Sequence, residues 1–173
     1  MKRITNIYYL VDCSCRKYGH QTRRAQTAVL KAKCALRNVR FSAKIHLIGY
    51  NDKAMFLNAF RKFPVSGNPI LREGFKMLKT VIEYQRKAEP QQTRSIFLFY
   101  SSGEVVNGWQ SPLRKLFTLP EFAGGLRYVV TPQPLSEKEQ VPFLQFADFP
   151  ERVLPYFSEN RLLSLIQTII NQK

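Results

Sequence analysis

The chain has 173 residues, 45% of them apolar and 13% aromatic, enough to fill the core of one domain and leaving little room for two. At 23% charged it is not disordered by composition, and no run of 18 or more apolar residues is present, which excludes a spanning helix. The net charge is +15 and unevenly spread: residues 1–63 hold 14 basic against 2 acidic side chains, residues 64–173 hold 13 against 10.

Between Asp12 and Asp52 there are nine Lys or Arg and no acid. Such a one-sign stretch either keeps a basic protein soluble or attracts an anionic partner. The apolar run after Lys2 and Arg3 is interrupted by Asp12, unlike a signal peptide, and three cysteines cannot form a disulfide framework. Both features predict a cytoplasmic protein in a reducing compartment.

In chain order, Ile4–Val11 is β-branched, aromatic and apolar on both faces, the pattern of a central strand buried between helix layers. Residues 21–38 follow as a helix. Ala25, Ala28, Val29, Ala32, Ala35, Leu36 and Val39 form its apolar stripe, and Arg23, Arg24, Lys31, Lys33 and Arg37 its other side. Phe41–Gly49 is a second strand, Tyr50–Lys53 a turn and Ala54–Phe63 a hairpin partner. A helix over Leu71–Arg86 and a polar linker over Lys87–Thr93 lead to Ser95–Tyr100, the most apolar run in the chain. Ser111–Phe117 reads as a short helix, Gly125–Thr131 as a fifth strand, Phe143–Ala147 as a sixth, and Glu159–Ile170 as a terminal amphipathic helix. Alternating strands and helices predict a single α/β domain over residues 1–173. Its architecture is a three-layer α/β/α sandwich around a mostly parallel six-stranded sheet with one antiparallel edge strand.

Four polar loops are candidates for one joint site: Asp12–Lys17, Tyr50–Lys53, Ser66–Pro69 and Ser101–Glu104. The first and last follow the two most apolar strands, and α/β folds place their sites at the carboxyl ends of strands. Competing chemistries lack their residues. Cys13 and Cys15 with Cys34 do not supply four ligands at the paired spacing of structural zinc. His46, inside a strand, has no Ser, Cys or Asp at triad spacing. No glycine-rich phosphate loop is present. A small α/β nuclease of the PIN or NYN kind needs three or four acids for its metals, and a haloacid dehalogenase-type phosphatase needs Asp-x-Asp where this chain has Asp12-Cys13-Ser14. A nucleic-acid module remains an alternative, with Arg16, Lys17, Lys44 and the basic helix side as phosphate contacts.

The segments YYLVDCS, IGYND, SGNPILREGFKML and FLFYSSGEVVNGW, in that order, resemble the von Willebrand factor A (vWA) domains, and most nearly the bacterial tellurite-resistance Y-type vWA proteins. The resemblance covers nearly the whole chain and implies the same sandwich. Its metal-ion-dependent adhesion site (MIDAS) takes one Asp and two Ser from the first loop, a Thr from the second and an Asp from the third. Here Asp12 and Ser14 match, but the second Ser is Arg16, the Thr falls on Pro69 or Asn68, and the last Asp is Ser102. The resemblance therefore implies a degenerate site that binds Mg²⁺ weakly or not at all, with no other cofactor. The Arg16 guanidinium either sits beside Asp12 or points into solvent. The function implied is non-enzymatic: a protein–protein interaction module in a bacterial setting, recruiting an acidic partner, with no membrane role. Arg16, Lys17, Arg23 and Arg24 would form its salt bridges. Tyr18 and Trp109 are candidate aromatic anchors at the same rim, and Trp109 could equally pack on its own loop.

Overall fold

The computed structural model describes residues 5–14, 27, 31, 34, 43–57, 66–90, 94–155 and 159–171. Its strands are β1 (Thr5–Asp12), β2 (Ala43–Tyr50), β3 (Ala54–Leu57), β4 (Arg94–Tyr100), β5 (Leu126–Val130) and β6 (Val153–Leu154). Its helices are α1 (Leu71–Ala88), α2 (Gln110–Phe117), α3 (Pro120–Ala123), α4 (Glu137–Ala147) and α5 (Glu159–Asn171). The strands form one sheet in the order β3-β2-β1-β4-β5-β6, with every neighbouring pair parallel except β2 and β3. This is the sandwich expected from the sequence.

β1 and β4 lie at the centre, buried on both faces along nearly their whole length, which is why they read as unbroken apolar runs. Period-two alternation sends Tyr8, Leu10, Phe97 and Phe99 to one face, where Leu71, Phe75, Leu78 and Ile82 of α1, Leu113 of α2 and Phe143 and Phe146 of α4 cover them. Ile7, Tyr9, Val11, Leu98 and Tyr100 face the other way, with Ile166 of α5 packed among them.

Two boundaries differ from expectation. Phe143–Ala147 is not a strand but the second half of α4, and the sixth strand is Val153–Leu154. The Ser136 hydroxyl and backbone N–H are both within hydrogen-bond reach of the Glu139 carboxylate, and the reciprocal capping box nucleates the helix before Pro142 can interrupt it. α1 also runs on through Lys87 and Ala88, two residues into the expected linker. Thr27, Lys31 and Cys34 are helical. Most of the predicted helix over 21–38, and the end of the predicted third strand beyond residue 57, lie outside the described residues.

Below the loop edge, the buried His46 and Asn6 side chains pair with each other. His46 Nε2 lies 2.8 Å from Asn6 Oδ1, and its ring stacks on Tyr8 at 4.9 Å. Histidine 46 is thus part of the sheet's packing.

Candidate functional site at the carboxyl edge of the sheet

The four polar loops meet. Cys13 donates its backbone N–H to the Tyr50 carbonyl at 2.7 Å, and Ser66 donates to the Cys13 carbonyl at 3.0 Å. Ile70 N–H reaches the Asn51 carbonyl at 3.3 Å, and Val106 N–H the Pro69 carbonyl at 3.4 Å. Parallel pairing of β1 with both β2 and β4 brings their carboxyl ends to one edge, so the loops that follow them become neighbours.

Asp12 lies at the centre, fully buried. Its Oδ1 accepts hydrogen bonds from Ser14 N–H at 2.8 Å and the Ser14 hydroxyl at 2.6 Å. Its Oδ2 accepts from Ser102 N–H at 3.0 Å and from the Ser102 hydroxyl. One carboxylate thereby ties the loop after β1 to the loop after β4, across 90 residues of sequence. Burial raises the Asp12 pKa above its ordinary value, and the bonds from Ser102 and Ser14 pull the other way.

A second clip stands beside it. Asp52 Oδ1 accepts from Asn68 N–H at 3.2 Å and from the Asn68 side-chain amide at 2.9 Å. Gly67 holds a positive φ of 77°, and a Cβ there would collide with the Asp52 carboxylate. The amide of Asn68 is thus directed to Asp52 and not to Asp12. Sequence reasoning missed this pairing; the only local signal was turn-forming residues in both segments.

Trp109, weighed as a rim anchor or as loop packing, is 6% exposed and belongs to the core beneath α1 and α2. Arg16, Lys17, Tyr18, Arg23 and Arg24 lie outside the described residues.

Cys13 is 3% exposed, and burial with the neighbouring Asp12 pushes its thiol up to about 12. Only the thiolate is nucleophilic, so Cys13 is shielded twice over. Alkylation of the folded protein at pH 8, mapped by mass spectrometry, is expected to label the exposed Cys34 and leave Cys13 unmodified until denaturant is added. Early labelling of Cys13 would contradict the packing described.

His46 is the one histidine among the described residues, and it stands away from the loop serines. Asp12 pairs with Tyr50 in the sheet and His46 pairs with Tyr8, four residues earlier along β1. At about 3.3 Å per residue the imidazole is roughly 13 Å from the serine hydroxyls. The vWA resemblance implies a divalent ion at this edge. Asp12 is the one carboxylate joining the two central loops, and both its oxygens already accept two hydrogen bonds each. Among the described residues no group of three His, Cys, Asp or Glu could hold a metal. Magnesium takes hard oxygen ligands in near-octahedral geometry, commonly with one or two carboxylates free to coordinate. The described residues do not fit it.

Comparison with solved structures agrees with the topology. Proximal thread matrix protein 1 from the mussel byssus superimposes with a TM-score of 0.67 at 17% identity over 98% of this chain and 48% of its own. The same protein with a zinc-occupied MIDAS motif gives 0.68 at 16%, with the same coverage. The pilus adhesin SpaC from Lactobacillus rhamnosus GG, in its open conformation, gives 0.70 at 10%, over 98% of this chain and 30% of its own. The fold is vWA-like. The present chain spans about half or less of the length of these proteins. No family model and no curated protein matches the sequence. No helix among the described residues is long and apolar enough to cross a membrane.

Proposed function

We propose that this vWA-like domain is a non-enzymatic protein-interaction module that recruits an acidic partner at the carboxyl edge of its sheet without a tightly held divalent ion. The observation carrying this reading is the internal saturation of Asp12. Its four hydrogen bonds come from Ser14 and Ser102, the second standing where the vWA pattern has an acid. A divalent ion would have to compete with those donors for the carboxylate. The edge therefore holds its shape by hydrogen bonding, and charge recognition passes to Arg16, Lys17, Arg23 and Arg24 in the stretch that carries nine cations and no acid. Arginine suits direct pairing with carboxylates because its guanidinium forms two parallel bonds.

The zinc-occupied MIDAS of the mussel protein shows what the same fold does with a metal. The present chain, in this reading, is a degenerate relative of such sites. In this reading its resemblance to tellurite-resistance Y-type proteins supports a bacterial, cytoplasmic setting. Affinity capture from the native host, run in parallel with wild type and Arg16→Glu, tests the proposal. The partner should be lost or strongly depleted with the variant while the melting temperature is unchanged. Undiminished capture by Arg16→Glu would remove this edge as the binding surface.

A further inference from the structure

On the sheet face away from α5, the outward side of α1 and α2 carries a strip of positive charge that the loop-edge reading does not use. Arg72, Lys76 and Lys79 follow one another along α1 at four- and three-residue spacing, and Lys87 continues the strip two turns on, opposite the buried row of Leu71, Phe75, Leu78 and Ile82. α2 lies alongside. A Cβ at Gly108, just before α2, would stand 3.8 Å from Arg72 Cδ at the start of α1. At the other end Arg86 forks onto Glu121 of α3, with Nε 2.5 Å from Oε1. The two helices thus run side by side in the same direction, and Arg114 and Lys115 of α2 extend the strip sideways.

Its acids do not balance it. Glu73 is shared by Arg72 at 3.2 Å and Lys76 at 3.0 Å, and Glu83 pairs with Lys79 at 2.5 Å. Lys87, Arg114 and Lys115 have no acid within ion-pair distance among the described residues. Helix dipoles favour cations in a last turn and account for Lys87, Arg114 and Lys115. They do not account for Arg72 in a first turn or for Lys76 and Lys79 in mid-helix. One turn before Lys87, on the outward side, stands Tyr84, the most exposed large hydrophobic residue described, at 67%.

We propose that this α1–α2 face binds single-stranded nucleic acid, with Arg72, Lys76, Lys79, Lys87, Arg114 and Lys115 contacting successive phosphates and Tyr84 stacking on a base. The exposed aromatic beside a row of cations favours this ligand over an acidic peptide, which needs the charge but not the ring. The inference is independent of the loop-edge reading, since it uses none of the loop residues.

The test is fluorescence anisotropy with a labelled 20-nucleotide single strand, the matching duplex and poly-glutamate as probes. With Glu73 and Glu83 offsetting two of the six cations, about four phosphates are neutralised net, and single-strand affinity should fall roughly 50-fold between 50 and 200 mM salt. Lys76→Gln combined with Lys87→Gln should weaken binding and flatten that salt dependence. Tyr84→Ala should weaken single-strand binding about tenfold at every salt concentration, leave the slope unchanged and leave poly-glutamate binding as it was. Circular dichroism melts confirm that the surface variants fold. The proposal is overturned by poly-glutamate binding as tightly as the strand, by indifference to Tyr84→Ala, or by no binding at 50 mM salt.

Discussion

Replacing Arg127 with methionine is expected to destabilise the protein by about 2–4 kcal/mol, the order for buried carbonyls that lose a charged donor. At roughly 2–4 °C per kcal/mol for a chain of this size, the melting temperature should drop by about 4–16 °C. The guanidinium projects from β5 with its side chain only 3% exposed. Its Nε donates to the Phe146 carbonyl at 2.8 Å, in the last turn of α4. One terminal nitrogen donates to the carbonyls of Phe122, of Ala123 at 3.1 Å and of Gly125 at 3.2 Å, at the end of α3. The other pairs with Asp148, the left-handed residue that closes α4. The rings of Phe117 and Phe122 lie 5.0 and 5.2 Å from the guanidinium carbon. One side chain therefore caps two helices whose last carbonyls have no partner within the helix. Burial, and secondarily Arg152, lowers its pKa, but arginine stays charged. Methionine would fill the volume but take the charged donor from the Phe146 and Ala123 carbonyls and leave Asp148 to water, while the Phe122 carbonyl keeps the Gly125 N–H at 3.2 Å. Arg127→Lys, with no fork, should recover less than half of the loss. Denaturant titration and thermal melts read both variants, and a loss below 1 kcal/mol for the methionine variant would contradict the role assigned.

The second large effect is expected at Asp12. Asp12→Ala leaves two N–H groups and two hydroxyls without their acceptor at a buried junction, and should cost about 2 kcal/mol. The pH dependence gives an independent signature. Because burial raises the Asp12 pKa, the folded state binds that proton more readily than the unfolded chain does. The contribution of this group is fully present below its ordinary 3.8, and declines as pH rises through the raised value. Comparing stability of wild type and Asp12→Asn from pH 3 upward should show that decline in the wild type and not in the variant. Identical pH profiles would mean that Asp12 is not buried as described.

Much of this was legible in the sequence because central parallel strands are apolar on both faces. IYYLV and SIFLFY could hardly sit elsewhere, and once they were placed, Asp12 and Ser102 had to meet at one edge. What was not legible depends on partners distant in sequence. Phe143–Ala147 carries Phe at both 143 and 146, a helical spacing inside too short a window to separate from a strand, and the capping box that decides it lies upstream at Ser136. Arg127 sits in GLRYVVT, where alternation alone would turn a charge toward water; its partners are carbonyls, which leave no trace in residue identity. The Asp52–Asn68 clip spans 16 residues and exists only once β2 and α1 are docked.

Hydrogen bonds from Ser14 and Ser102 to Asp12 hold the sheet edge where the vWA pattern carries a divalent ion. Isothermal titration of the purified chain with Mg²⁺, Mn²⁺ and Zn²⁺, repeated on Asp12→Ala, tests it most directly. The account predicts no saturable heat at micromolar concentrations from either protein. Micromolar binding by wild type that vanishes in Asp12→Ala would contradict it.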